Sequence, residues 1–127
     1  MAHRSRLAGF IIDCETDDLD EAASFWSAAL GLAVKPSNGP EDANYVRLDT
    51  GPDGMLIEVQ KVAHPSRVHM DIETDDIEAE VARLEALGAR RLWPVRTWWV
   101  MEAPTGHRFC VVRRGHRDFD ATANRWP

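Results

Sequence analysis

Few features of this chain commit it to a membrane, a disulfide scaffold or a polyanion. No apolar run in its 127 residues approaches the ~20 that a membrane-spanning helix requires, and no membrane partner is expected. The two cysteines, Cys14 and Cys110, are too few for a disulfide framework and, with no sign of secretion, read as reduced thiols. The start, Met1 to Arg6, runs into a short apolar stretch from Leu7 to Ile12 that ends at Asp13. That stretch is too brief for a signal-peptide core, and the expectation is a cytoplasmic protein. A formal charge of −6 argues against nucleic acid, whose binding leans on clustered Lys and Arg to displace counterions. The basic cluster Arg113-Arg114-Gly115-His116-Arg117 is the exception. No nucleophile motif, phosphate-cradling glycine loop or Cys-x-x-Cys pair is present, so hydrolase, nucleotide and redox readings gain no support.

What the chain does have is an internal duplication. Ile11-Ile12-Asp13-Cys14-Glu15-Thr16-Asp17-Asp18-Leu19-Asp20 matches His69-Met70-Asp71-Ile72-Glu73-Thr74-Asp75-Asp76-Ile77-Glu78 at a constant offset of 58 residues. In both copies an Asp-Asp pair precedes a stretch of helical spacing that ends in Ala-Leu-Gly, at Ala29-Leu30-Gly31 and Ala86-Leu87-Gly88. The first helix, roughly Leu19 to Leu30, carries an apolar stripe of Ala22, Phe25, Trp26, Ala29 and Leu30. The second has Ile77, Val81, Leu84 and Leu87, so both helices are expected to lie on a sheet, with Trp26 in the core. The Asp pairs suit N-caps and the helix dipole, and Gly31 and Gly88 suit the left-handed position after the last turn. These acidic clusters are read as caps and not as metal sites.

A second correspondence sets Pro52-Asp53-Gly54 followed by Met55 to Val59 against Pro104-Thr105-Gly106 followed by His107 to Val111, two turns that each feed a strand. Further strands are expected at Ala43 to Leu48 and Thr97 to Glu102, with Leu32 to Lys35 and Ala89 to Leu92 entering from the helices. Each copy then reads βαβββ. One domain spans residues 1–127, with modules of approximately 7–62 and 67–114. The tail 115–127 has no counterpart in the first half, and either stays disordered or packs through Phe119 and Trp126.

The two modules, the pattern of Asp18 to Gly31 (Asp-Leu-x-x-Ala-x-x-Phe-Trp-x-x-x-Leu-Gly) and that of Trp98 to Val112 (Trp-Trp-Val-Met-x-x-Pro-x-Gly-x-x-Phe-Cys-Val-Val) resemble the glyoxalase/bleomycin-resistance/dioxygenase, or vicinal oxygen chelate, superfamily. Within it the chain is similar to the small bacterial glyoxalase-like domain proteins over roughly Leu7 to Arg113. The resemblance implies an α+β fold in which two tandem βαβββ modules curl their half-sheets around a ligand cavity, and it implies a homodimer. In metal-dependent members, side chains from the first and last strand of each module hold a divalent ion. The equivalent positions here are Ile11, Glu58, His69 and Cys110, since Glu58 and Cys110 each lie four residues after their glycine. Ile11 cannot ligate and Cys110 stands where a carboxylate is expected. His69, Glu58 and Cys110 are left as a three-ligand set with an open position, and the sulfur favours zinc if a metal binds. Cys110 reads equally well as a small buried core residue within Phe109-Cys110-Val111-Val112.

Strand alternation puts Glu58 and Gln60 on one face, so Gln60 joins the expected cavity lining, while His69 shares its face with Asp71. Trp98 and Trp99, being adjacent, point to opposite faces, one under the helix and one into the cup. Trp93, before Pro94, is expected in a loop at the mouth. Two functions compete. In the first, a glyoxalase-like enzyme acts on a small oxygenated substrate, with Glu58 as ligand or general base and His69 as ligand. In the second, a metal-free drug-sequestering protein like the bleomycin-resistance members binds a cationic aromatic ligand through its acidic shell and tryptophans. A noncatalytic partner or sensor domain is a third use of such a fold.

Overall fold

The computed structural model describes residues 2–36 and 43–127. In chain order the elements are β1 (His3–Glu15), α1 (Leu19–Leu30), β2 (Tyr45–Leu48), β3 (Leu56–Val62), β4 (Arg67–Thr74), α2 (Ile77–Ala86), β5 (Arg90–Val95), β6 (Trp98–Glu102), β7 (Arg108–Arg113), α3 (Phe119–Thr122) and β8 (Asn124–Trp126). The mixed α+β order expected from the duplication is present, and the chain groups into two compact units. One is Gly9–Val68; the other is Met1–Ala8 with His69–Pro127.

In the unit Gly9–Val68, β3 pairs antiparallel with β2 and parallel with β1, from Gly9 beside Leu56 to Glu15 beside Val62. Glycine is required at the start of that ladder, because a Cβ on Gly9 would lie 1.8 Å from the Leu56 carbonyl oxygen. The strand expected at Leu32 to Lys35 is reduced to a single bridge between Val34 and Leu48. Pro36 follows at once, and a residue with no N–H cannot extend the pairing. Helix α1 starts as its sequence dictates: the Asp18 carboxylate accepts from the Glu21 N–H at 3.0 Å, and Gly31 ends the helix at φ 70°. Its buried side differs from the expected stripe. Ala23 is buried and Trp26 half-buried, whereas Phe25 is 62% exposed and Ala29 and Leu30 also face outward. Ser27, half-buried on the same side, donates its hydroxyl to the Leu32 carbonyl at 2.6 Å.

In the second unit the strand order is β4-β7-β6-β5, with β4 parallel to β7 and the other pairs antiparallel. Helix α2 is capped by Asp76, which accepts from the Ala79 N–H at 3.0 Å, and Gly88 follows at φ 108°. Val81 and Leu84 of α2 form the core with Met101, Phe109 and Val111, and Trp99 and Ile72 pack against it. Trp93 and Pro94 lie within β5 and not in a loop. β5 ends the strand order, and an edge strand tolerates a proline because one side of its ladder is unpaired.

The last residues pack. Phe119 is fully buried, with the guanidinium groups of Arg4 and Arg114 at 5.6 and 4.6 Å from its ring centroid. The backbone N–H groups of Gly115 and His116 donate to buried Glu73 at 2.7 and 3.1 Å. β8 pairs antiparallel with β1, Trp126 donates its indole N–H to Ser5 at 2.8 Å, and Arg83 covers the Trp126 ring at 3.9 Å. Beneath them Glu80 is wholly buried, held by Arg83 through two 2.8 Å hydrogen bonds and met by His3 Nε2 at 2.8 Å. Burial pushes the Glu80 carboxyl up, but the hydrogen bonds from Arg83, His3 and Ser5 together outweigh it and leave it below the ordinary carboxylate range. A carboxyl lowered by folding stabilises the fold above its unfolded value, and that contribution is lost as pH falls through the folded one. Glu80→Gln should therefore lower stability at neutral pH and flatten its acid dependence below about pH 4.3, as read by urea titration across pH. An unchanged acid limb would contradict the role given to Glu80.

Candidate functional site

The parallel ladder between β4 and β7 sets Asp71 beside Cys110. Because strand side chains alternate with a period of two, His69 projects on the same face as Asp71. Phe109 and Val111 face α2, so Cys110 projects on the opposite face, with His69 and Asp71. The donor atoms of His69, Asp71 and Cys110 all lie within 4.8 Å of one another, and His69 Nε2 is 3.4 Å from Asp71 Oδ1. Asp71 is 8% exposed, and among the described residues no hydrogen bond reaches its Oδ1.

The three donors are of the kinds that hold a metal ion. A tetrahedral zinc with bonds of about 2.1 Å to nitrogen and oxygen and 2.3 Å to sulfur separates its ligand atoms by roughly 3.4–3.6 Å. The His69 to Asp71 separation matches that edge. A buried carboxylate oxygen without a hydrogen bond is costly unless something charged meets it. Nitrogen, oxygen and sulfur together are donors that zinc accepts. The other cysteine is unsuited to such a role: burial pushes the Cys14 thiol up, keeping it protonated, and it donates to the Ile12 carbonyl at 3.5 Å.

Asp71 is the residue that the sequence placed only on the same face as His69. The repeat offsets of 58 for the first strand and 52 for the last carry the pair Ile11 and Glu58 onto His69 and Cys110. Ile11 does sit beside Glu58, but in the second unit the ladder is shifted by two residues and Asp71 takes the place opposite Cys110. An even shift keeps every side chain on its face.

The remaining candidates lie as follows. In the unit Gly9–Val68, Ile11 is buried, Glu58 lies 3.8 Å from the Arg47 guanidinium, and Gln60 donates to the Tyr45 hydroxyl at 3.0 Å. Trp99 packs on the α2 core with Arg91 4.9 Å from its ring centroid. Trp98 therefore projects on the face that carries Cys110. Along that face a cross-strand row runs Asp71, Cys110, Val100, Trp93. A β-bulge between Arg91 and Trp93 brings Trp93 beside Val100.

A family model described as "Glyoxalase-like domain" matches residues 9–112. Methylmalonyl-CoA epimerase in complex with methylmalonyl-CoA and NH4+ is similar in structure, with 19% identity, 89% of this chain and 97% of that chain covered, and a TM-score of 0.60. The methylmalonyl-CoA epimerase of Mycobacterium tuberculosis is similar at 15% identity, 91% of both chains and a TM-score of 0.64. A hypothetical protein of Bacillus halodurans C-125 is similar at 12% identity, with 89% of this chain and 96% of that chain covered and a TM-score of 0.65. At these identities the likeness is one of fold. No curated protein matches the chain.

If the Asp71 carboxylate is held for a metal and not for the fold, losing its charge leaves the metal-free chain intact. In chelator-treated protein, Asp71→Asn should change unfolding free energy by less than about 1 kcal/mol or raise it, since among the described residues the Asp71 Oδ1 meets only His69, at 3.4 Å and without a hydrogen bond. A loss of several kcal/mol in urea titration would show that the carboxylate has a structural partner.

Proposed function

We propose, from the premise that the chain belongs to the glyoxalase-like domain family of the vicinal oxygen chelate superfamily, that it binds a small oxygenated molecule at a zinc centre held by His69, Asp71 and Cys110. The observation that carries this reading is the convergence of three donors within 4.8 Å, one of them a buried carboxylate oxygen with no hydrogen bond. Bound zinc would supply a Lewis acid with a position left for the ligand. His69 and Asp71 orient the ligand oxygen, Cys110 anchors the set from β7, and the adjoining Val100 and Trp98 limit water on that face. Glu58 is not needed as a ligand, because the donor set has three members without it. The activity is of the glyoxalase-like lyase or isomerase class. Two reduced thiols support a cytoplasmic setting.

The competing reading, sequestration of a cationic aromatic compound without a metal, draws support from Ile11, an aliphatic residue at an expected ligand position. It is weakened by arginines already seated over the rings of Trp93, Trp99 and Trp126. A ring face covered by the protein's own guanidinium does not attract a second cation.

Protein purified without chelators should carry close to one zinc per chain by elemental analysis. His69→Ala, Asp71→Ala and Cys110→Ala should each abolish it, while Glu58→Ala should not. Absence of metal after incubation with zinc, nickel, manganese and iron would overturn the zinc reading. The reading also includes a homodimer, supported by the apolar residues Phe25 and Leu30 that α1 leaves exposed. Sedimentation should give twice the chain mass, and a strict monomer at tens of micromolar would exclude pairing.

A further inference from the structure

Arg108 lies two residues before Cys110 on β7 and so projects on the same face, about 6.6 Å away along the strand. Its guanidinium sits 5.3 Å from the Trp93 ring centroid, and Trp93 ends the cross-strand row that starts at Asp71. The Arg108 Nε faces Glu102 Oε2 at 3.6 Å, while Arg90 takes the other oxygen of Glu102 at 2.6 Å. Hydrogen bonding from Arg90 leads the causes that hold the Glu102 carboxyl below the usual carboxylate range, against the opposing effect of burial. Two guanidinium groups against one ionised carboxylate leave one positive charge on this part of the face. Among the described residues Glu102 is the one carboxylate that Arg108 meets, and it is shared with Arg90.

We infer that Arg108, seated on Trp93, is a specificity residue that takes the carboxylate of a small planar organic acid whose second oxygen function reaches His69, Asp71 and Cys110. The inference rests on the donor-set reading above and adds the ligand's class. Three features fit a flat acid and disfavour an amine. A guanidinium fork matches a carboxylate through two parallel hydrogen bonds. Contact with the Trp93 ring at 5.3 Å and the ion pair with Glu102 restrict the fork before the ligand arrives, which lowers the ordering cost of binding. Val100, between Cys110 and Trp93 on the row, together with Trp98 on the same face, gives an apolar surface for the body of the ligand.

The test uses isophthalate, its monomethyl ester and benzylamine as probes of the full-length zinc-loaded protein, followed by tryptophan fluorescence and calorimetry. Isophthalate should bind and benzylamine should not. Arg108→Gln should weaken isophthalate about tenfold or more, the worth of one charge-assisted hydrogen-bonded contact. Arg108→Lys should recover only part of the loss, because it keeps the charge without the fork. Thermal melts verify that both variants fold, and if the Gln variant does not, the Lys variant against wild type carries the comparison. Failure of isophthalate to bind the wild type at millimolar concentration overturns the inference. So does equal affinity in the arginine variants, or tighter binding of benzylamine. Zinc content is read separately by elemental analysis. Protein without zinc refutes the donor-set reading, whereas the same isophthalate comparison, made on that metal-free protein, still decides the role of Arg108.

Discussion

The register between two parallel strands governs this molecule's chemistry. Pairing of β4 with β7 puts Asp71 beside Cys110, and the two-residue period of a strand adds His69 to the same face. Neither strand carries a donor set alone. A slip of one residue would send Cys110 to the α2 side and bring Phe109 and Val111, which fill the core with Val81 and Leu84, onto the donor face. Core packing therefore protects the register, and the register assembles the donors. The same ladder continues through Val100 to Trp93, so the aromatic and basic neighbours of the donor set are fixed by the pairing too.

Charge on this unit is arranged in compact, shared groups. Glu73 receives two backbone N–H groups and lies 2.5 Å from His116 Nδ1 and 3.3 Å from Arg6. Glu80 is held by Arg83 and His3. Buried carboxylates so supported fix the position of the last residues of the chain against β1 and β4, where unsupported ones would destabilise the fold. Asp71 is held less fully: among the described residues no hydrogen bond reaches its buried Oδ1, which meets His69 Nε2 at 3.4 Å, and a buried polar atom left so calls for an explanation.

Much of this arrangement was legible in the sequence, because a duplication exposes equivalent positions without any structure. The aspartate caps, the two terminating glycines and the βαβββ order follow from local chemistry, and so does the joint placement of His69 and Cys110 on first and last strands. The partnership of Asp71 with Cys110 was not legible. Ladder register is a tertiary quantity, and the two copies differ in it by two residues although their sequences align. The outward side of α1 was missed for a similar reason, since Ala23 and Trp26 are selected by contact with the sheet and the periodicity of Phe25, Ala29 and Leu30 carries no such information. Which of the two adjacent tryptophans faces the donors depended on knowing that Trp99 shares a face with Met101.

Cobalt(II) replaces zinc in such sites and reports geometry and ligands by absorption, so its spectrum bears most directly on the claim that the β4–β7 register builds a metal centre. The account predicts an intense visible band of a tetrahedral ion, together with a near-ultraviolet sulfur-to-metal band that disappears in Cys110→Ser. A weak, octahedral-type spectrum indifferent to Cys110→Ser, or no uptake of cobalt at all, would contradict it.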